Sequence, residues 1–73
     1  MQEIRGIISD VVYTNEQNGY SIVEIETEGN LSIVVTGTMP YPGVGEAIEA
    51  KGNFVNHAVY GQQFKATEIR IFL

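Results

Sequence analysis

The sequence predicts an all-β fold, a small barrel of five strands. No segment of the 73-residue chain sustains the spacing of apolar residues that a helix requires. Runs rich in β-branched residues instead alternate with clusters of glycine, asparagine and proline, which is the pattern of strands separated by turns. The first apolar run is also long and has no single apolar face. These three features together favour strands that curve around one core.

The first predicted strand runs from Gln2 to Tyr13, and its apolar residues do not stay on one face. Such a strand is either covered on both sides or bent, so that each half faces a different part of the core. Gly6 and the doublet of Ile7 and Ile8 favour the bend, because glycine within a strand often marks a bulge or a barrel corner.

The second and third predicted strands form a hairpin. Strand two follows the turn cluster TNEQNG and extends from Tyr20 to Glu28, and strand three extends from Leu31 to Thr38. A Gly-Asn pair between them makes a tight reversal, because both residues tolerate positive φ. Alternation then separates the two faces. The inward residues are Ser21, Val23, Ile25, Thr27, Leu31, Ile33 and Val35. The outward residues are Tyr20, Ile22, Glu24, Glu26, Glu28, Ser32, Val34 and Thr36.

The remaining residues supply a loop and a second hairpin. The stretch MPYPGVGE contains both prolines, so it is predicted to be a crossing loop with at most one helical turn. Strand four runs from Ala47 to Asn56, and strand five from Gln63 to Phe72. Their inward residues are Ile48, Ala50, Gly52, Phe54, Phe64 and Ala66.

The turn between strands four and five centres on Gly61, which takes positive φ at no steric cost. Phe54 and Phe64 stand on either side of this turn, and we expect them to pair across the strands. Later in strand five the apolar pattern moves to the opposite parity, which predicts a bulge near Thr67 and Glu68.

This arrangement matches the five-stranded Greek-key barrel known as the OB-fold. An SH3-like barrel is the alternative, because it is also small and five-stranded. The long first strand favours the OB-fold. Many OB-folds carry a helix between strands three and four, where this sequence has only a loop.

The composition excludes several classes of protein. There is no cysteine, so neither a disulfide framework nor a thiolate metal site is available. No apolar run approaches the roughly 20 residues that span a bilayer, and the first residues lack the apolar segment of a signal peptide. We therefore expect a cytoplasmic protein with no membrane partner. The net charge of −5 opposes binding to a phosphate backbone.

Several sequence fragments, in order along the chain, resemble one family. The first is EIRGIISDVVYTNEQNGYSIVEI, in which an I-x-G opening leads to N-E-x-N-G and an aromatic residue. VTGTMP and VGE follow, and the last fragment is GNFVNHAVYGQQFKA. In this order and spacing they are similar to the N-terminal domain of RecD-like, YrrC-type ATP-dependent DNA helicases, relatives of the exodeoxyribonuclease V alpha subunit.

The resemblance implies that residues 1–73 are one OB-fold domain at the N-terminus of a larger helicase. In such enzymes a helix-hairpin-helix region and two RecA-like motor domains follow, and ATP with Mg²⁺ drives movement along single-stranded DNA in recombination and repair. The sequence contains no G-x-x-x-x-G-K-[ST] phosphate loop. We therefore expect no cofactor in this domain.

The predicted fold also indicates where a nucleic acid would bind. OB-folds bind single strands on the outer face of strands two and three and on the loops after strands one and four. The candidate residues there are Tyr13, Asn15, Asn18, Tyr20, His57, Tyr60, Gln62 and Lys65.

A competing interpretation is that these side chains cover the barrel or dock on another domain or a partner protein. Family members often carry basic residues on the outer face of strand two, where this chain has Glu24, Glu26 and Glu28. Single-strand binding normally combines aromatic platforms with a basic groove. The sequence therefore favours docking over DNA binding.

Catalysis and metal binding have little support in the sequence. His57 is the only histidine, and without a cysteine or a second histidine it is predicted to be a turn or packing residue. The glutamates of strand two are predicted to be a solvated face that discourages edge pairing. No serine or threonine has a histidine–acid partnership in the predicted fold. We therefore expect a domain that is not an enzyme.

Overall fold

The computed structural model describes residues 1–72, which form a closed barrel without a helix. The five strands are β1 (Gln2–Thr14), β2 (Tyr20–Glu26), β3 (Ser32–Thr38), β4 (Ala47–His57) and β5 (Gly61–Phe72). Their order around the barrel is β1-β2-β3-β5-β4, and β3 and β5 are the parallel pair. This topology confirms the predicted OB-fold. Residues 1–72 contain no helix of the length and apolarity needed to cross a membrane.

Strand β1 bends because it pairs with two different strands. Ile7 is opposite Ala47 of β4 and also opposite Glu26 of β2. The residues before Ile7 pair with β4, and those after it pair with β2. The change of partner therefore falls at the predicted isoleucine doublet, and register irregularities follow it at Ser9 and Val12.

Every strand contributes at least one inward side chain to the core. Its fully buried members are Ile8, Val23, Ile25, Val35, Met39, Ile48, Ala50 and Phe64. The predicted alternation of β2 is confirmed, since Ser21, Val23 and Ile25 are buried. The prediction for Leu31 is wrong, because this residue precedes β3 and its side chain is 64% exposed. Its carbonyl instead accepts the Thr27 N–H at 2.8 Å within the turn.

Two further residues are more buried than the alternation predicts. Met39 follows β3 in the loop, yet its side chain belongs to the core. Thr36 was assigned to the outer face, and it is only 5% exposed. It lies between Ile22 of β2 and Lys65 of β5 in the strand register, so its neighbours cover it.

The second hairpin has the predicted turn, aromatic pair and bulge. Gly61 has a φ of 80°, and the rings of Phe54 and Phe64 lie 5.0 Å apart in an edge-to-face arrangement. Lys51 is opposite Glu68 whereas Gly52 is opposite Ala66, so the residue between them, Thr67, is the bulge. Beyond it, Ile69 and Ile71 return to the core side.

The connection from β3 to β4 is a loop, as predicted, and it is fixed by its own hydrogen bonds. The Gly43 N–H donates to Glu46 Oε1 at 2.7 Å, and the Gly45 N–H donates to the carbonyl of Ile8 at 2.8 Å. Tyr41 lies in the same loop with a φ of 41° and is 93% exposed.

Candidate functional site

A row of side chains crosses the outer surface of all five strands. In the strand register Tyr13 is opposite Ile22, Ile22 is opposite Thr36, Thr36 is opposite Lys65, and Lys65 is opposite Asn53. We call these five residues the outer row. Tyr13 and Lys65 are exposed, and they are the two predicted binding residues in it. The row therefore combines one aromatic platform with one lysine.

The loop between β1 and β2 uses its own asparagines. The Asn15 side-chain Oδ1 accepts the Gln17 N–H at 2.9 Å, and the Asn18 Oδ1 accepts the Tyr20 N–H at 2.9 Å. Both oxygens act in local turns, as short polar side chains commonly do. Asn18 thereby fixes the start of β2 and presents Tyr20, which is 40% exposed, on the same face as Ile22.

His57 ends β4 and closes the following turn. Its Nδ1 accepts the N–H groups of Val59 at 3.1 Å and Tyr60 at 3.2 Å, and its ring lies 4.8 Å from that of Tyr60. This agrees with the prediction of a turn residue. The Tyr60 side chain is 75% exposed beside it. Gln62 is exposed on the returning strand, opposite Asn56.

Residues 53–63 project from the barrel as a two-stranded ribbon, which we call the ribbon. β1 meets β4 only as far as the Gln2–Gly52 pair, and β3 first meets β5 at Phe64. The ribbon contains no charged residue, although the whole chain has thirteen. Its exposed apolar and aromatic side chains are Val55, Val59 and Tyr60.

Val55 and Val59 were missed by sequence reasoning. The signal that would have identified them is the run of residues between Lys51 and Lys65 without a charge. Strand alternation assigned faces within this run, but it did not show that both edges of the hairpin leave the barrel. The ribbon places His57, Tyr60 and Gln62 together, whereas Tyr13, Tyr20 and Lys65 lie on the barrel wall.

The outer surface of β2 is acidic. Asp10 of β1 is directly opposite Glu24, and Glu26 follows on the same face. Like charges directly opposite one another on neighbouring strands repel and destabilise the pair. Glu28 was predicted on this face, but β2 ends at Glu26 and Glu28 lies in the following turn.

The cations of the structure are concentrated on another side. Arg5 Nε lies 2.9 Å from Glu49 Oε2, and Lys51 Nζ lies 3.9 Å from Glu3 Oε2, both across the β1–β4 pair. Within residues 1–72, Lys65 of the outer row takes part in no ion pair. The same residues contain no group of three or more side chains suited to holding a metal ion.

The whole chain matches one family. A family model described as the OB-fold domain of the ATP-dependent DNA helicase YrrC covers residues 1–73. No curated protein and no solved structure matches the chain. The match agrees with the sequence fragments that run from EIRGII to GQQFKA and with the closed five-stranded barrel. The chain therefore belongs to the family of OB-fold domains of YrrC-type ATP-dependent DNA helicases.

Proposed function

We propose that this domain is a non-catalytic accessory module of a longer helicase, and that it docks through the ribbon onto the rest of the enzyme or a partner protein. In this proposal the motor domains lie outside residues 1–73 and bind ATP and Mg²⁺. The complete enzyme is a RecD-like, cytoplasmic helicase that acts in DNA recombination and repair. The domain itself requires no cofactor.

The observation that carries this proposal is the uncharged surface of the ribbon. Val55, Val59 and Tyr60 are exposed there, and Asn56 and Gln62 add hydrogen-bonding groups. The buried centres of protein–protein interfaces are depleted in charge and enriched in aromatic residues, and tyrosine is a frequent hot-spot residue. In a docked ribbon, the unpaired backbone N–H and C=O groups along its two open edges would also gain hydrogen-bond partners.

Hydrogen–deuterium exchange tests this proposal in the complete helicase. If the ribbon is docked, the amides of residues 53–63 should exchange more slowly in the full-length enzyme than in the isolated domain. Replacing Val59 and Tyr60 by serine should abolish that difference. A matched change of Val12, which is exposed outside the ribbon, should preserve it. Equal exchange in both proteins, before and after adding the motor's nucleotide, would contradict docking onto the enzyme.

Single-stranded DNA binding is the second candidate, and the outer row favours it. Tyr13 of the outer row and Tyr20, on the same face of β2 as Ile22, offer two platforms, and Lys65 offers a cation on the same wall. Stacking of a base on such a platform contributes about 1–3 kcal/mol. Titrating the isolated domain with fluorescent oligonucleotides at low salt tests this role. Salt-sensitive binding that is lost on Tyr13→Ala or Tyr20→Ala would support it, and no binding at low salt would exclude it for the isolated domain.

A further inference from the structure

An apolar concavity lies at the end of the second hairpin opposite the ribbon tip. Ile7, Ala47 and Phe72 stand side by side in the register of β1, β4 and β5, and Val44 of the loop lines the same concavity. Ile7, Val44 and Phe72 are 48%, 67% and 45% exposed. These three exposed residues and the partly buried Ala47 form one apolar surface from three strands and one loop, which is typical of an interaction site.

One rim of this concavity is acidic. Glu26 is the cross-strand neighbour of Ile7, and Glu28 also lines the concavity. In the part of the chain that the structure describes, neither residue takes part in an ion pair. The other rim is not acidic, because Arg5 contacts Glu49 and Arg70 lies over the Phe72 ring, 5.5 Å from its centre.

These charges distinguish among possible occupants. A nucleic acid would be repelled by the acidic rim. A second copy of this chain would also be repelled, because it carries the same acidic rim and a net charge of −5. A small ligand would need convergent polar groups in an enclosed pocket, whereas this concavity is open and its base is apolar. A protein segment with apolar side chains next to lysine or arginine complements both the apolar base and the acidic rim.

We propose that this concavity binds such a segment, with its apolar side chains on Ile7, Val44 and Phe72 and its basic side chains beside Glu26 and Glu28. The interface is distinct from the ribbon and does not depend on the ribbon's role.

Three synthetic peptides of equal length test the proposal by nuclear magnetic resonance titration of this chain. The first has an apolar centre of leucines flanked by lysines, the second replaces the lysines by glutamates, and the third replaces the leucines by serines. Only the first should shift the signals of Ile7, Val44 and Phe72. Its affinity should fall by about tenfold with Glu28→Lys, and by a similar factor with Val44→Ser.

Val59→Ser, which changes an exposed valine in the ribbon, should leave this affinity unchanged. Equal binding of the lysine–serine peptide would overturn the proposal, because it would reduce the site to general charge attraction. Shifts confined to the ribbon or the outer row would also overturn it. Failure of the ribbon to dock in the complete helicase would leave these outcomes unaffected, so the two proposals fail separately.

Discussion

The imidazole of His57 shows how one side chain determines the shape of a functional element. Its Nδ1 accepts two backbone N–H groups, from Val59 and Tyr60, in a turn that carries no other side-chain acceptor among the described hydrogen bonds. These two bonds use Nδ1 as the acceptor, which leaves Nε2 outside the turn's hydrogen bonds. The turn thereby fixes the exposed ring of Tyr60 at the tip of the ribbon.

We predict that His57→Ala lowers the free energy of unfolding by about 1 kcal/mol, because two N–H groups lose their acceptor. Amide exchange at Val59 and Tyr60 should accelerate more than exchange in the barrel. His57→Asn is the matched variant, since an asparagine oxygen closes similar turns. It should restore slow exchange while losing the contact with the Tyr60 ring. Equal exchange in the alanine and asparagine variants would contradict the capping role.

Some residue assignments were accessible from the sequence and others were not. The turn role of His57 follows from its isolation, because no second ligand was available for a metal. Leu31 was misassigned because alternation gives the parity of a strand but not the residue at which pairing begins. Met39 joins the core although it lies outside every strand, and strand alternation assigns no face to such a residue.

At the scale of elements, β5 depends on one extra residue. Thr67 has no opposite residue in β4, and its Oγ1 donates to the Lys51 carbonyl at 3.2 Å. The bulge reverses the parity of the strand, so Phe64 before it and Ile69 after it both face the core. The change of parity in the sequence was therefore sufficient to predict the bulge.

We predict that deleting Thr67 lowers the free energy of unfolding by only about 1 kcal/mol, measured by urea denaturation. Without this extra residue Ala66, Glu68 and Ile69 alternate regularly, so Glu68 stays outward, Ile69 stays inward, and only the bulge with its hydrogen bond is lost. Thr67→Ala is the control, since it removes only the hydrogen bond and should cost about 1 kcal/mol. A deletion much more costly than the alanine variant would contradict this prediction, because it would show that the bulge itself is needed to close the barrel.

In β1 the sequence predicts the change of face but not the two irregularities that follow it. The doublet of Ile7 and Ile8 shows that the strand changes its face, and this part is confirmed. The irregularities nevertheless fall at Ser9 and Val12, because β2 determines them through its pairing. A local pattern cannot reveal the register of a partner strand. For the same reason the sequence did not reveal that residues 53–63 leave the barrel.

At the scale of the whole molecule, charge divides the surface into distinct regions. On the outer face of β1, β4 and β5 the signs alternate across the strands, and Lys51 lies between Glu3 and Glu68. The ribbon is uncharged. The face of β1 and β2 instead places Asp10 against Glu24 with no described cation between them. The sequence alone gives the net charge of −5. The distribution of the charges over the surface becomes evident only with the strand register.

The repulsion between Asp10 and Glu24 predicts that Glu24→Lys stabilises the domain. Reversing one charge replaces a like-charge pair by an opposite one, and such cross-strand pairs contribute about 0.2–1 kcal/mol. Glu16→Lys is the matched control, because it also changes the net charge from −5 to −3 but lies in the loop between β1 and β2. Urea midpoints at low salt should rise more for Glu24→Lys, and added salt should reduce the difference. Equal midpoints for the two variants would mean that net charge, and not this pair, limits stability.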